Sequence, residues 1–242
     1  MTAVWFMSPA WQRFELSAVC FEQRRRSMDV LEAAGIEARC VIVADDENLD
    51  IARGLGFDVV EQDNEWLGRK VNDGFEYAFK HGADYIVPIG SDSWLDPEFL
   101  LPLHSPRVVR TSRFYAPVEI DRLAELSVTG MNGAGPHVWP RRYLERSGFR
   151  PIVAQQINRN LDSSTIRGIA SRTPITWEWR DLYPLQYVGF RVHPFITAWA
   201  SLWRRWGIVE RPDPWTLLAE RYPQDLVDRA RAILVQQAEA AA

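Results

Sequence analysis

The sequence predicts an α/β fold: a mostly parallel, Rossmann-type sheet flanked by helices, with a helical C-terminal tail. Three observations carry that expectation. Strand-like and helix-like segments alternate through the first hundred residues. The strand-like segments are nearly continuous apolar runs, as strands covered on both faces are. The helix-like segments stop at glycines, which supply the left-handed residue that ends a helix.

Residues 3–7 (Ala-Val-Trp-Phe-Met) read as a buried strand running into Ser8-Pro9. From Arg13 to Ala34 the apolar residues Phe14, Leu16, Val19, Cys20, Met28, Val30 and Leu31 suit a helix, stopped by Gly35. Residues 41–44 form a second strand, closed by Asp45-Asp46-Glu47-Asn48, and Leu49 to Leu55 a short helix ended by Gly56. Residues 58–61 are a third strand. Lys70 to His81 is helical, with Val71, Phe75, Ala78 and Phe79 on one face, and stops at Gly82. Asp84 to Ile89 is the fourth strand, after which Asp96-Pro97-Glu98 opens a helix. Right-handed crossovers place the C-terminal ends of parallel strands on one edge, where ligands of open α/β sheets bind. Pro9, Asp45, Asp46, Asn64 and Asp92 all follow strands at that edge.

Residues 101–192 are less regular. A strand is expected over 107–111, a glycine-rich turn over 130–135, a helix over 141–147, and another from about Ser163 with Asp162 or Ser163 as its cap. From 195 the tail reads as helical: an aromatic segment to Trp206, a proline-rich break at 211–214, and an amphipathic stretch over 224–237.

A chain of 242 residues, 47% hydrophobic, is long enough for one substantial domain with a full core. A net charge of −4 supplies no strong basic field and argues against a general nucleic-acid coat. Cys20 and Cys40 lack a partner pattern and read as buried free thiols of a reducing compartment. The first residues do not read as a signal peptide, and no run of about 18 apolar residues occurs, so the expectation is a cytoplasmic chain without a transmembrane segment. No GxGxxG directly after a strand, P-loop, HExxH, CxxC or GxSxG is present. Carboxylates at strand ends are what remains.

Their order resembles a known family. Ser8-Pro9 with Arg13, then Asp45-Asp46, then Gly68-Arg69-Lys70-Val71-Asn72-Asp73-Gly74, then Gly82-Ala83-Asp84-Tyr85-Ile86 and Gly90-Ser91-Asp92-Ser93, look like the nucleotide-sugar half of GT-A glycosyltransferases, family 2 type. The resemblance covers residues 3–105, with a weaker continuation to about 200. It implies a fold of the GT-A type and transfer of a sugar from a nucleotide diphosphate, UDP above all, to an acceptor hydroxyl. It implies Mn2+ or Mg2+ held by Asp92, the middle of a DxD-like motif whose outer positions are here Gly90 and Ser93, with His193 as a late metal ligand. Pro9, Arg13, Asp45, Asp46, Lys70, Asn72, Ser91 and Arg191 would bind the nucleotide sugar. Asp162, in the stretch 158–163, would be the general base. Residues 1–193 would be the transferase domain, with 1–105 its nucleotide-sugar half and 106–193 its acceptor half, and 194–242 a helical extension packed on it. The acceptor would be a glycan or a protein.

Plainer readings stand beside these. Asp92, Asp45-Asp46 and Asp162 are all residue types that cap turns and helices, and Arg69-Lys70 suits a solvated helix start. Eleven tryptophans include Trp139, Trp177 and Trp179 as candidate sugar-stacking rings, though most are expected in the core. Trp199, Trp203 and Trp206 are expected to pack on the domain or on a second copy, making a homo-oligomer through the C-terminal helices, rather than on a membrane. Two other functions share the sheet type: a sugar-phosphate nucleotidyltransferase, whose glycine-rich basic loop after the first strand is replaced here by Ser-Pro-Ala-Trp, and a non-catalytic sugar- or nucleotide-binding protein.

Overall fold

The structure, a computed structural model, describes residues 1–101, 103–119, 122–127, 136–154, 156, 161–182, 185–190 and 209–240. Strand β1 (Ala3–Pro9) alternates its side chains between two cores. Val4 and Phe6 face one helical layer, Trp5 and Met7 the other, which is why the sequence shows an unbroken apolar run. Around it lie α1 (Phe14–Ala33), β2 (Glu37–Ala44), α2 (Asn48–Gly54), β3 (Asp58–Glu61), α3 (Leu67–Lys80) and β4 (Tyr85–Pro88). β1 pairs parallel with both β2 and β4, and β2 with β3. Gly35, Gly56 and Gly82 end the three helices with φ of 80°, 73° and 90°, as the sequence implied.

β2 begins at Glu37, ahead of the expected start. Its first half alternates, with Ala38 and Cys40 buried while Arg39 lies outside across the Trp5 ring at 5.6 Å, so no apolar run announces it. α3 lies close on the sheet at Gly74, where a Cβ would stand 2.5 Å from Met7 Cγ. The residues after β4 form β5 (Ser93–Leu95) and then a single 3₁₀ turn, Pro97–Leu100. Asp96 caps that turn by accepting the Glu98 N–H at 2.9 Å.

The middle of the chain is more regular than expected. It supplies β6 (Val108–Arg110), β7 (Arg113–Glu119), β8 (Arg122–Ser127), β9 (His137–Pro140), α4 (Arg141–Ser147), α5 (Leu161–Ala170), β10 (Trp177–Trp179) and β11 (Tyr187–Gly189). The main sheet runs β10-β6-β9-β4-β1-β2-β3. β9 is antiparallel to both β4 and β6, while β10 is parallel to β6, so β6 and β10 point the same way as β1, β2 and β4. α5 begins at Leu161, which makes Asp162 its second residue rather than its cap.

A second sheet, in the order β12-β8-β7-β11-β5, includes β12 (Val209–Pro212). This strand corrects the expected break there: it pairs antiparallel with β8, a partner more than 80 residues away that local propensity cannot reveal. The tail's helices are α6 (Pro214–Ala219) and α7 (Gln224–Ala240). α7 docks on α1 through Arg229 to Glu22 and a two-pronged Arg26 to Asp225 pair at 2.9 and 2.6 Å. Leu16, Val19, Cys20, Trp215, Leu218, Leu226 and Leu234 fill the interface, with Trp94 edge-on to Phe190 at 4.6 Å. Among the described residues, no helix is long and apolar enough to cross a membrane.

Candidate functional site

Three loops meet where β1, β2 and β4 end. Ser8 Oγ donates to the Ile89 carbonyl at 2.8 Å and the Ala10 N–H to Val43 O at 2.9 Å, so the strand ends are fixed to one another. The loop from Ala10 to Arg13 then turns in an unusual way. Gln12 and Arg13 are consecutive left-handed residues, each with φ 54°. Such backbone costs about 1–3 kcal/mol per residue and persists where the surroundings over-determine it. Here they do. The Gln12 N–H donates to Asp46 Oδ2 at 2.9 Å, and Asn48 Nδ2 donates to Gln12 O at 3.3 Å. Asp46 Oδ1 also accepts from the Asn48 N–H at 3.1 Å and from Asn48 Nδ2 at 2.7 Å. Asp46 therefore holds the β1 loop to the β2 loop. Trp11, 56% exposed, stands at the rim of this loop.

Arg13 is the second tie. Its Nη1 lies 2.9 Å from Asp92 Oδ2, joining the start of α1 to the loop after β4. The other Asp92 oxygen, Oδ1, accepts from Ser93 Oγ at 3.2 Å, and that hydroxyl accepts from Tyr187 at 3.3 Å. A Cβ at Gly90 would lie 2.6 Å from Asp92 Oδ1, so a side chain there would displace the Asp92 carboxylate. Beneath the loop, fully buried Arg24 donates to the Gly90 carbonyl at 3.0 Å. Both charges act on buried Cys20. Burial pushes its thiol far up, Asp92 pushes the same way, and Arg24 opposes.

A third cluster fixes the β2 edge. Asp45 accepts from the Asn64 N–H at 3.0 Å and from the Asn64 amide. Lys70 from α3 reaches up with its Nζ on the Ala10 carbonyl at 2.9 Å and on Asn64 Oδ1, 4.0 Å from Asp45. Its side chain is 1% exposed. Burial lowers its pKa, and Asp45, Asp46 and Asp63 pull it back up. Lys70 is thus a strut under the loops rather than a free cation.

The sequence-expected residues divide accordingly. Pro9, Arg13, Asp45, Asp46, Ser91 and Asp92 come together at the edge, with Lys70 beneath them. Asn72 does not join them: it is buried, with Nδ2 on Ile152 O and Oδ1 on the Ile152 N–H, both at 2.9 Å. Arg191, His193, the side chain of Asp162, residues 130–135 and 158–160, and Trp199, Trp203 and Trp206 lie outside the described residues or side chains. Of the aromatic candidates, Trp139 is buried, Trp177 half-buried and packed beside it, and Trp179 exposed over Arg110 at 4.3 Å. Gln12, Asn48, Trp11 and Arg24 were missed, and Asn64 was placed at the edge without a role. Only Arg24 had left a signal: it sits at i+4 from Cys20 and i−4 from Met28, in the middle of the apolar stripe of α1.

The donor set bears on a divalent cation. Asp92 is the one carboxylate of the loop 90–93, and both of its oxygens are engaged. Magnesium asks for near-octahedral oxygen ligation, with one or two carboxylates free to turn toward it. Among the described residues no three His, Cys, Asp or Glu side chains are grouped to hold a metal. The described residues do not make a divalent-cation site as they stand.

No protein-family model matches the chain, and no curated protein sequence is significantly similar to it. Among solved structures it is similar to S. aureus TarS, with a TM-score of 0.50 and 14% identity, over 79% of this chain and 37% of that one. It is similar to S. aureus TarS 1–349 in complex with UDP at a TM-score of 0.50 and 13% identity, over 79% and 61%. It is also similar to M. tuberculosis glucosyl-3-phosphoglycerate synthase at a TM-score of 0.50 and 15% identity, over 86% and 82%. The chain spans less than two thirds of either TarS chain. At these identities the likeness is one of fold, and the fold is that of GT-A nucleotide-diphospho-sugar transferases.

Proposed function

We propose that the protein transfers a sugar from a nucleotide-diphosphate donor, UDP-linked, to the hydroxyl of a glycan or protein acceptor. One observation carries the reading: Gln12 and Arg13, a strained pair, tie the loops after β1, β2 and β4 into one cup at the ligand edge of a GT-A-type sheet. Strain of this kind is kept where a site must be pre-formed. In this reading residues 1–105 hold the donor and 106–193 present the acceptor, with 194–242 packed against them.

Within the cup, exposed Asp45 accepts hydrogen bonds from base or ribose, and the Trp11 indole offers a face for the base. Asp46 and Lys70 hold the loops that position them. The leaving diphosphate develops negative charge, so a fixed positive group beside it favours the transition state. The acceptor hydroxyl needs a base, and Asp162 is assigned that role from the sequence resemblance. Its helix joins the apolar core that includes Met7 and Trp139 through Ile166 and Ile169. The test is release of nucleoside diphosphate from a panel of UDP-, GDP- and CDP-sugars. Turnover of one donor class supports transfer; tight binding without turnover indicates a binding protein instead.

A further inference from the structure

We propose that Arg13, backed by the buried Arg24, supplies the positive charge at the donor diphosphate, so that donor binding proceeds without a divalent cation. The inference rests on the donor-binding reading above and concerns how that same site holds its anion.

The loop 90–93 carries one carboxylate, Asp92, and two guanidiniums bear on it. Arg13 meets it from the solvent side at 2.9 Å, and Arg24 from below through the Gly90 carbonyl at 3.0 Å. Around the loop 90–93 itself, these two guanidiniums outnumber the one carboxylate before any ligand arrives. A cation held between protein and phosphates takes one or two carboxylates, and the one carboxylate of this loop is already paired with Arg13. The flanking residues agree. Position 90 has no room for a side chain while Asp92 keeps its place, and position 93 holds a hydroxyl spent on Asp92 and Tyr187.

Arg13 is suited to the task. Among the described residues only its Nη1 is committed, and the side chain is 38% exposed, which leaves the rest of the fork for a ligand. A guanidinium meets phosphate oxygens in two parallel, charge-assisted hydrogen bonds, and it needs no deprotonation or loading to do so. Asp92 then positions Arg13, and Arg24 fixes the loop by its bond to the Gly90 carbonyl. Asp92 binds no metal in this arrangement.

Isothermal titration of the full chain with UDP, in EDTA and in manganese, tests this directly. The expected result is one-site binding in EDTA, with a dissociation constant within about threefold of that in manganese. Arg13→Gln should weaken binding in EDTA at least tenfold, while Arg13→Lys keeps part of it. Asp92→Asn gives the sharpest contrast. It removes a negative charge from beside the diphosphate, so UDP should bind in EDTA as tightly as to the wild type or more tightly. Wild-type binding that appears only with manganese, or that Asp92→Asn abolishes, overturns the proposal and leaves the donor reading standing. Absence of binding for UDP, GDP, CDP and ADP in both conditions overturns both. The wild-type comparison decides the matter even where a variant melts early.

Discussion

The backbone N–H of Gln12, a left-handed residue, is held by Asp46 Oδ2 at 2.9 Å. One carboxylate on the β2 loop thus stabilises a strained turn on the β1 loop, and through it the placement of Trp11 and Arg13.

Asp46→Ala should release that turn. It leaves the Gln12 N–H and the Asn48 amide without their acceptor, a loss of about 1–3 kcal/mol. Urea denaturation should show this, and nucleotide affinity should fall with it. Asp46→Asn keeps one acceptor oxygen and should lose less of both.

Trp11→Ala should leave stability unchanged, because the ring is exposed. Stacking of a base on an aromatic ring contributes about 1–3 kcal/mol, so the dissociation constant for UDP should rise roughly 5- to 150-fold. An unchanged constant removes Trp11 from the donor site.

Lys70 predicts a pH effect with a definite sign. Its pKa is lowered in the folded chain below the ordinary 10.5, chiefly by burial. Between the two values the unfolded chain binds more protons, so stability rises with pH. The penalty for the buried ammonium is full below the folded pKa and fades as pH approaches 10.5. Denaturation at pH 7 and pH 10 should show the wild type gaining on Lys70→Met at the higher pH.

Asp162→Asn should leave UDP binding and melting temperature near wild type while turnover falls about 10²–10⁴-fold, the contribution of a positioned base. An active Asp162→Asn enzyme would remove Asp162 from the chemistry.

The first ninety residues were legible because β1, the second half of β2 and the centre of β4 are buried on both faces, and α1, α2 and α3 each end at a glycine. Both are local signals. β5, β11 and β12 are short strands stabilised by partners distant in sequence, and Pro212 in β12 read as a break. At the site, the sequence marked Asp45, Asp46, Arg13 and Asp92 by residue type and position after strands. It did not distinguish a ligand-facing residue from a strut. Lys70 and Asn72 look alike on paper, yet Lys70 holds the β1 loop from below while Asn72 is spent on the Ile152 backbone. Gln12 was invisible because its part is played by the backbone.

The central claim, that the cup at the ends of β1, β2 and β4 binds a nucleotide diphosphate, is most directly tested by thermal denaturation with UDP. At about 100 times its dissociation constant a ligand specific to the folded state adds roughly 2.7 kcal/mol, and the transition should move upward accordingly. The account predicts that shift for the wild type, and a smaller one for Trp11→Ala at the same UDP concentration. No shift at millimolar UDP, GDP, CDP or ADP would contradict it.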